Sequence, residues 1–235
     1  MKLSQETINM WKSFSTINSN LNVKEGNVLE TINLSKSLIA YYTAAEQFPN
    51  FAIENLSEFI NIISLFKSPD IIFNDNHILI KDMDSNREIK YGYGDPNVFQ
   101  VKCPSTLKMP EAEISFDLKS EDMSTVLKAA SILKVESMII RNNPDNNGTI
   151  ILESKDTKLR SVDTGSNSFS SELPANYNPD LKFNVIFNTN NLTIINGDYT
   201  IDISSKLISK FTNKNIGLVY YISADRQSKF SWGVK

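Results

Sequence analysis

The sequence predicts an α+β protein of two similar domains, each with two helices and antiparallel sheets. Three observations carry this. A capped amphipathic helix followed by strand-like sequence occurs at the start of the 235 residues and again near the midpoint. A repeat of roughly a hundred residues is far longer than a solenoid unit, so it marks paired domains and not a stacked array. Between the copies, residues 96–112 lose periodicity and contain Pro96, Pro104 and Pro110, the texture of an extended connector. The predicted division is residues 1–95, a connector of 96–112, and residues 113–235.

Behind Ser4, the residues Leu3, Thr7, Met10, Phe14 and Ile17 fall on one helical stripe and predict the first helix. Residues 27–32 and 36–44 carry β-branched and aromatic side chains on either side of Asn33-Leu34-Ser35, which predicts a hairpin. Ile53, Leu56, Phe59, Ile60, Ile63 and Phe66 recur at three and four residues, predicting a second helix over 53–66 that Ser68-Pro69 ends. Residues 71–73, 77–81 and 87–93 follow as short strands between turns rich in Asn and Asp. Within the connector, 98–101 reads as a strand lying along the surface.

The second copy opens with a strand over 113–118 and a third helix from Ser120 to about Lys134, behind a serine cap. Met123, Val126, Leu127, Ala130 and Leu133 form its stripe. Strands at 136–141 and 149–153 flank a wide turn, and a shorter, weaker helix is predicted over 188–195. Strands at 183–187, 199–203, 206–211 and 216–222 complete the sheets, with Asn196-Gly197 as a tight-turn signal. Near the end, Phe230 and Trp232 are either packed or exposed.

Composition narrows the function. Hydrophobic residues at 40% and charged residues at 22% belong to a folded globular chain. No apolar run of about 18 residues is present to span a bilayer, and Met1-Lys2-Leu3-Ser4 lacks the build of a signal peptide, so a cytoplasmic location is expected. Net charge is −3 with a pI of about 5.3, and neither half is basic. A protein that grips nucleic acid by neutralising phosphates carries a basic domain instead. The lone His77 and lone Cys103 make no zinc or nucleophile–base template, Cys103 reads as a spare thiol, and no cofactor loop is spaced correctly; the glycines are scattered, with Gly92-Tyr93-Gly94 the one close pair. Asp82-Met83-Asp84 reads as a polar hairpin, and Glu121-Asp122 as acids at a helix N-terminus. No metal, cofactor or catalytic residue is predicted.

The opening Met1-Lys2-Leu3-Ser4, with Thr7, Lys12, Phe14 and Thr16-Ile17-Asn18-Ser19, resembles the start of the sliding clamps of T-even-type bacteriophages, the processivity factors of their replicative polymerases. Asn55-Leu56-Ser57-Glu58-Phe59 with Ile63-Ser64-Leu65 is similar to that family's second helix. Glu121-Asp122-Met123 with Val126-Leu127-Lys128 and Leu133 is similar to its third, and 191–199 to the exit of its fourth. The resemblance implies the DNA-clamp fold, in which each of the two similar domains has antiparallel sheets on one side and two helices on the other. Three protomers would close into a ring, sheets outside and helices lining a hole for duplex DNA. A closed ring is held by topology, which reconciles an acidic chain with a polyanionic partner.

On that implication the DNA-facing candidates are Lys2, Lys12, Lys67, Lys128 and Lys134. The polar faces carrying them are Gln5, Asn9 and Lys12 on the first helix and Ser124, Lys128 and Ser131 on the third. Ala129, Ala130 and Ser131 stand where more positive charge is expected for the family. Implied partners are double-stranded DNA, the replicative DNA polymerase, a clamp loader ATPase, further copies of the chain as a homotrimer, and late-transcription factors. The family's partners dock through short peptides near the connector, where Phe99 and Val101 either line such a groove or pin the connector to the sheet. Two other readings remain: a duplicated β-rich virion component, and a single-strand DNA-binding protein that stacks bases on Tyr41, Tyr42, Tyr91, Tyr93, Tyr220 and Tyr221.

Overall fold

Burial of one helical stripe starts each half of the fold. A computed structural model describes residues 1–104, 107–156 and 167–232, and divides the chain into a first unit of 1–105 with 216–218 and a second of 106–215 with 219–235. Residues 105 and 106 of the predicted connector lie outside the described residues.

The first unit runs α1 (Gln5–Ile17), β1 (Leu21–Val23), β2 (Gly26–Ile32), β3 (Leu38–Phe48), β4 (Phe51–Ile53), α2 (Leu56–Ile63), β5 (Pro69–Phe73), β6 (His77–Asp82) and β7 (Glu88–Gly92). Antiparallel pairs join β1 to β4, β2 to β3, and β5 to β6 to β7. Thr7, Met10, Trp11, Phe14 and Ile17 form the buried face of α1. Trp11 is fully buried, its ring centroid 5.7 Å from Phe59 of α2 and 5.9 Å from Phe48 of β3. Phe51 joins the same cluster at 6.5 Å. Ser4 caps α1 by accepting the Thr7 N–H at 3.1 Å.

The second unit runs β8 (Ile114–Leu118), α3 (Ser120–Leu133), β9 (Ser137–Asn142), β10 (Thr149–Ser154), β11 (Phe169–Pro174), β12 (Asn176–Tyr177) and β13 (Leu181–Asn188). It continues through β14 (Tyr199–Ser204), β15 (Ile208–Asn213), β16 (Leu218–Ser223) and β17 (Lys229–Trp232). One sheet has the order β11-β10-β9-β13-β17, and another brings β12, β8, β14, β15 and β16 together in that order. Met123, Val126 and Ala130 of α3 are buried, and the helix packs on β9, β10 and β11. Tyr199, Tyr220, Phe187 and Phe211 supply the large buried rings.

Several expectations need correction. The helix predicted over 53–66 is shorter, because 51–53 is strand β4 paired with β1, and Asn55 caps α2 by accepting the Glu58 N–H at 3.1 Å. The helix predicted over 188–195 reduces to a single 3-10 turn, Thr189–Asn191, so among the described residues the second unit has one α-helix where two were expected. The Asn-Thr-Asn-Asn sequence favours side-chain turns over a helix interior, and the Asn188 side chain accepts from Asn190 N–H at 2.9 Å.

Ser120 is not the cap of α3. Lys119 holds that position without a side-chain bond, and Asp198 accepts the Ser120 N–H at 2.9 Å instead. Residues 98–101 form no strand, since Asp95 closes a turn by accepting the Asn97 N–H at 2.8 Å. Asn196-Gly197 makes no hairpin turn either. Irregular chain precedes it, and Asn196 accepts the Ser120 hydroxyl at 2.8 Å.

Candidate functional site

An amphipathic helix that buries one stripe presents the opposite one, and α1 presents Gln5, Asn9, Lys12 and Thr16, all exposed at spacings of four, three and four. The Gln5 amide donates to Asn9 Oδ1 at 3.1 Å, tying two members of this face together. On α3 the exposed stripe is Glu121, Thr125, Lys128 and Ile132, with exposed Ser131 beside it and Ser124 half-buried. Each stripe carries a single lysine. Glu6 lies in the first turn of α1, and Glu121 and Asp122 in the first turn of α3, where acids oppose the positive helix pole. Both faces are therefore close to neutral and mostly polar, with exposed Ile132 the apolar exception on α3.

All five predicted lysines are exposed. The Met1 amine reaches Asp70 Oδ1 at 2.6 Å and Ile71 O at 2.7 Å, which ties the residue before Lys2 to the strand that follows Lys67. Lys12 stands apart from them on the α1 stripe. Lys128 lies on the α3 stripe, whereas Lys134 is the left-handed C-cap at φ 55° and has left it. Lys119 was not singled out from sequence, although its ammonium meets Asp198 at 3.0 Å. Its only signal was adjacency to a predicted helix start.

Phe99 and Val101 are half-buried in the first unit and line clefts. Phe99 borders two of them. The larger, of about 400 Å³, lies at the C-terminal end of α1, with Ser15 to Asn18, Glu54, Leu34 and Val98 among its walls. The smaller, of about 140 Å³, adds Val101, Lys102 and Cys103 against Ile32. Glu54, Asn18 and Leu34 were missed in sequence, because they come from separate turns far upstream of the connector.

Burial, reinforced by Glu30 and only partly offset by Lys24, pushes the Cys103 thiol up to about 12, which keeps it protonated near neutral pH. His77 closes a turn, its Nε2 3.3 Å from Asn74 Nδ2. The tyrosines are packing residues. Tyr42 and Tyr220 are buried, Tyr220 Oη accepts the Ile195 N–H at 3.2 Å, and the hydroxyls of Tyr91 and Tyr93 donate to the carbonyls of Asn55 and Asn74. Tyr41 sends its hydroxyl toward the Pro104 carbonyl at 3.5 Å. Two of the six candidate rings are thus buried and four are half-buried, which does not favour the stacking platform required of a single-strand binder. Among the described residues no group of three or more His, Cys, Asp or Glu is placed to hold a metal ion.

Residues 115–225 match the family model described as gp45 sliding clamp, C terminal. The sliding clamp of Vibrio phage KVP40 is 26% identical over 230 residues, 96% of this chain and 99% of that one. The sliding clamp of Enterobacteria phage T4 is 26% identical over 239 residues, covering 98% and 100%. Among solved structures, the PCNA of A. fulgidus bound to the C-terminal region of FEN-1 superposes with a TM-score of 0.69 at 11% identity, covering 97% of this chain and 98% of that one. The Helicobacter pylori beta clamp bound to a DNA ligase peptide gives 0.64 at 12% identity, covering 96% of this chain and 67% of that one. At such identities the last two speak for the fold alone.

Proposed function

We propose that the chain is a sliding clamp of the kind found in T-even-type bacteriophages, a DNA polymerase processivity factor, and that three copies close into a ring that encircles duplex DNA and tethers the viral replicative polymerase to its template. The observation that carries this reading is the pair of near-neutral polar stripes on α1 and α3 in a chain of net charge −3. Such faces are poor at binding phosphate and good at sliding along it. Counterion release gives a basic surface strong, register-holding affinity. A ring held by topology needs none of that, and weak, uniform contact lets it move without preferring any position.

In this reading Lys2, Lys12, Lys67, Lys128 and Lys134 supply diffuse attraction, and the chain performs no chemistry of its own. Partners with hydrophobic anchors dock along Phe99 and Val101. Peptides of FEN-1 and of DNA ligase sit on solved clamps of the same fold, which supports capture of partners through short segments. A loader ATPase opens and closes the ring in the host cytoplasm. On the family resemblance we extend the reading to late transcription, in which the ring acts as a mobile platform. Stimulation of late-promoter transcription only when the clamp is loaded on the same DNA molecule tests that extension.

Sedimentation equilibrium tests the central claim. The expected mass is three times 26.5 kDa, with retention on nicked circular DNA after loading and rapid loss once the circle is cut. A stable monomer at micromolar concentration, or tight salt-sensitive binding to short open-ended oligonucleotides, would overturn it.

A further inference from the structure

The larger cleft of the first unit has an electrostatic character that its apolar rim hides. Ser15, Thr16, Ile17 and the C-cap Asn18 line it, so the carbonyl end of α1, the negative pole of the helix dipole, borders the cavity. No basic residue lies in the last turn of α1 to offset that pole. Glu54 adds a carboxylate to the same wall. Its side chain is exposed, while its backbone carbonyl holds the Asn20 amide at 2.7 Å, which fixes the segment that carries it.

Facing this negative floor are Leu34 and Val98, 61% and 69% exposed, together with half-buried Phe99. Large apolar side chains this open, gathered around one cavity of about 400 Å³, mark a contact surface more than a solvated loop. A negative floor beneath an apolar rim matches a side chain with an aliphatic stem and a cationic tip.

We propose that this cleft receives a lysine or arginine side chain from an extended partner peptide, whose neighbouring apolar residue packs on Leu34, Val98 and Phe99. This rests on the reading that partners dock along the connector, and it adds a charge requirement to that groove. The stem of the basic residue lies along the rim, and its charged head reaches the carbonyls of the α1 terminus and the Glu54 carboxylate. Because Phe99 also borders the smaller cleft, the peptide's next apolar residue continues toward Val101.

The test uses the full chain and four capped peptides, acetyl-Gly-X-Leu-Phe-Gly-Gly-amide, in which X is Lys, Arg, norleucine or Glu. Binding is read from the backbone amide resonances of Asn18 and Phe99. A helix terminus and an exposed carboxylate together predict that Lys and Arg bind about three- to tenfold more tightly than norleucine at low salt, with Glu weakest. E54Q should narrow the Lys-to-norleucine ratio. T16K, which places a cation at the same carbonyl end, should abolish it. Equal affinity for all four peptides, or a ratio unmoved by both variants, overturns the basic subsite and leaves docking at the connector standing. Failure of every peptide to shift either resonance overturns the docking reading itself, and the subsite with it.

Discussion

The two long helices, α1 and α3, start in the same way and are held in different ways. Each receives a carboxylate from a distant segment: Glu46 of β3 accepts the Ser4 N–H and, at 2.7 Å, the Thr7 hydroxyl, while Asp198, just before β14, accepts the Ser120 N–H and the Lys119 ammonium. Glu46 is half-buried and backs a serine that already caps its helix. Asp198 is exposed, and no side chain of Lys119 does the capping. Beneath the helices the contrast widens. Fully buried Trp11 and Phe14 fasten α1, Trp11 against the rings of Phe48, Phe51 and Phe59, whereas α3 rests on Met123, Val126 and Ala130. The two halves share a carboxylate at the helix start and differ in the packing beneath it.

The largest effect should come from the aromatic anchor. Trp11→Ala is expected to destabilise the first unit by about 3–5 kcal/mol, and Val126→Ala the second by about 1–2 kcal/mol. Denaturant titration with amide exchange read separately on α1 and α3 measures both. Equal losses would break the comparison. Trp11→Phe sharpens it: the buried indole Nε1 has no hydrogen-bond partner in the structure, so phenylalanine should cost well under half of what alanine does, since no satisfied donor is lost.

Next in size are the carboxylates. Glu46→Ala should cost about 1–2 kcal/mol, because it leaves two part-buried donors unpaired. Asp198→Ala should cost less, and its effect should shrink with added salt, as befits an exposed partner. The pH dependence follows from the same contacts. Burial alone would raise the Glu46 carboxyl, but hydrogen bonds from Ser4 and Thr7 outweigh it and hold it below its ordinary 4.5. The hydrogen bonds from Ser120 and Lys119 likewise hold Asp198 below 3.8. For a carboxyl lowered in the folded state, the stabilisation is complete above the unfolded value and is lost as pH falls through the folded one. Protection of the amides in the N-terminal turn of α1, taken relative to their intrinsic exchange rate, should therefore begin to fall below about pH 4.5, and that of α3 at lower pH still. Acid fraying of α3 first would invert the expected order.

Much of the fold was legible because burial writes itself into sequence at the helical period. The stripes of α1 and α3 and most strands of five or more residues could be read in this way. What could not be read is short or non-local. Strands β1 and β4 have three residues each and exist because they pair with one another, so the local pattern at 53 reads as helix. Asp198 caps a helix start 78 residues away, and no local pattern announces that. Phe99 and Val101 stood out as apolar residues in a proline-rich stretch, but the floor of their clefts comes from Asn18, Ile32 and Glu54, whose convergence only the fold supplies. The five lysines were legible as charges, and their distribution over stripes and caps was not.

A smaller stabilising change separates the helix ends. Lys134 closes α3 at φ 55°, a region that a side chain disfavours and glycine does not. Lys134→Gly should raise the stability of the second unit by about 0.5 kcal/mol, visible as a higher denaturation midpoint. Asn18 ends α1 in extended backbone at φ −149°, so Asn18→Gly should instead lower stability, and more so because its amide bonds the Ile32 carbonyl at 2.8 Å.

The least effect on stability, and the most direct bearing on sliding, lies on the outer faces. Ser131→Lys on α3 and Thr16→Lys on α1 each add one cation to a stripe that carries a single lysine. Surface changes of this kind move folding by no more than about 0.5 kcal/mol. If the stripes face duplex DNA, each added phosphate contact steepens the dependence of log affinity on log salt by about 0.9, and diffusion along DNA slows as contacts strengthen. The two helices should respond alike, despite their different packing, because the property tested belongs to the exposed stripe and not to the buried one. A response confined to α1 would mean that only one of the duplicated helices meets DNA, and the neutrality of the α3 face would then need a different explanation from the one that sliding provides.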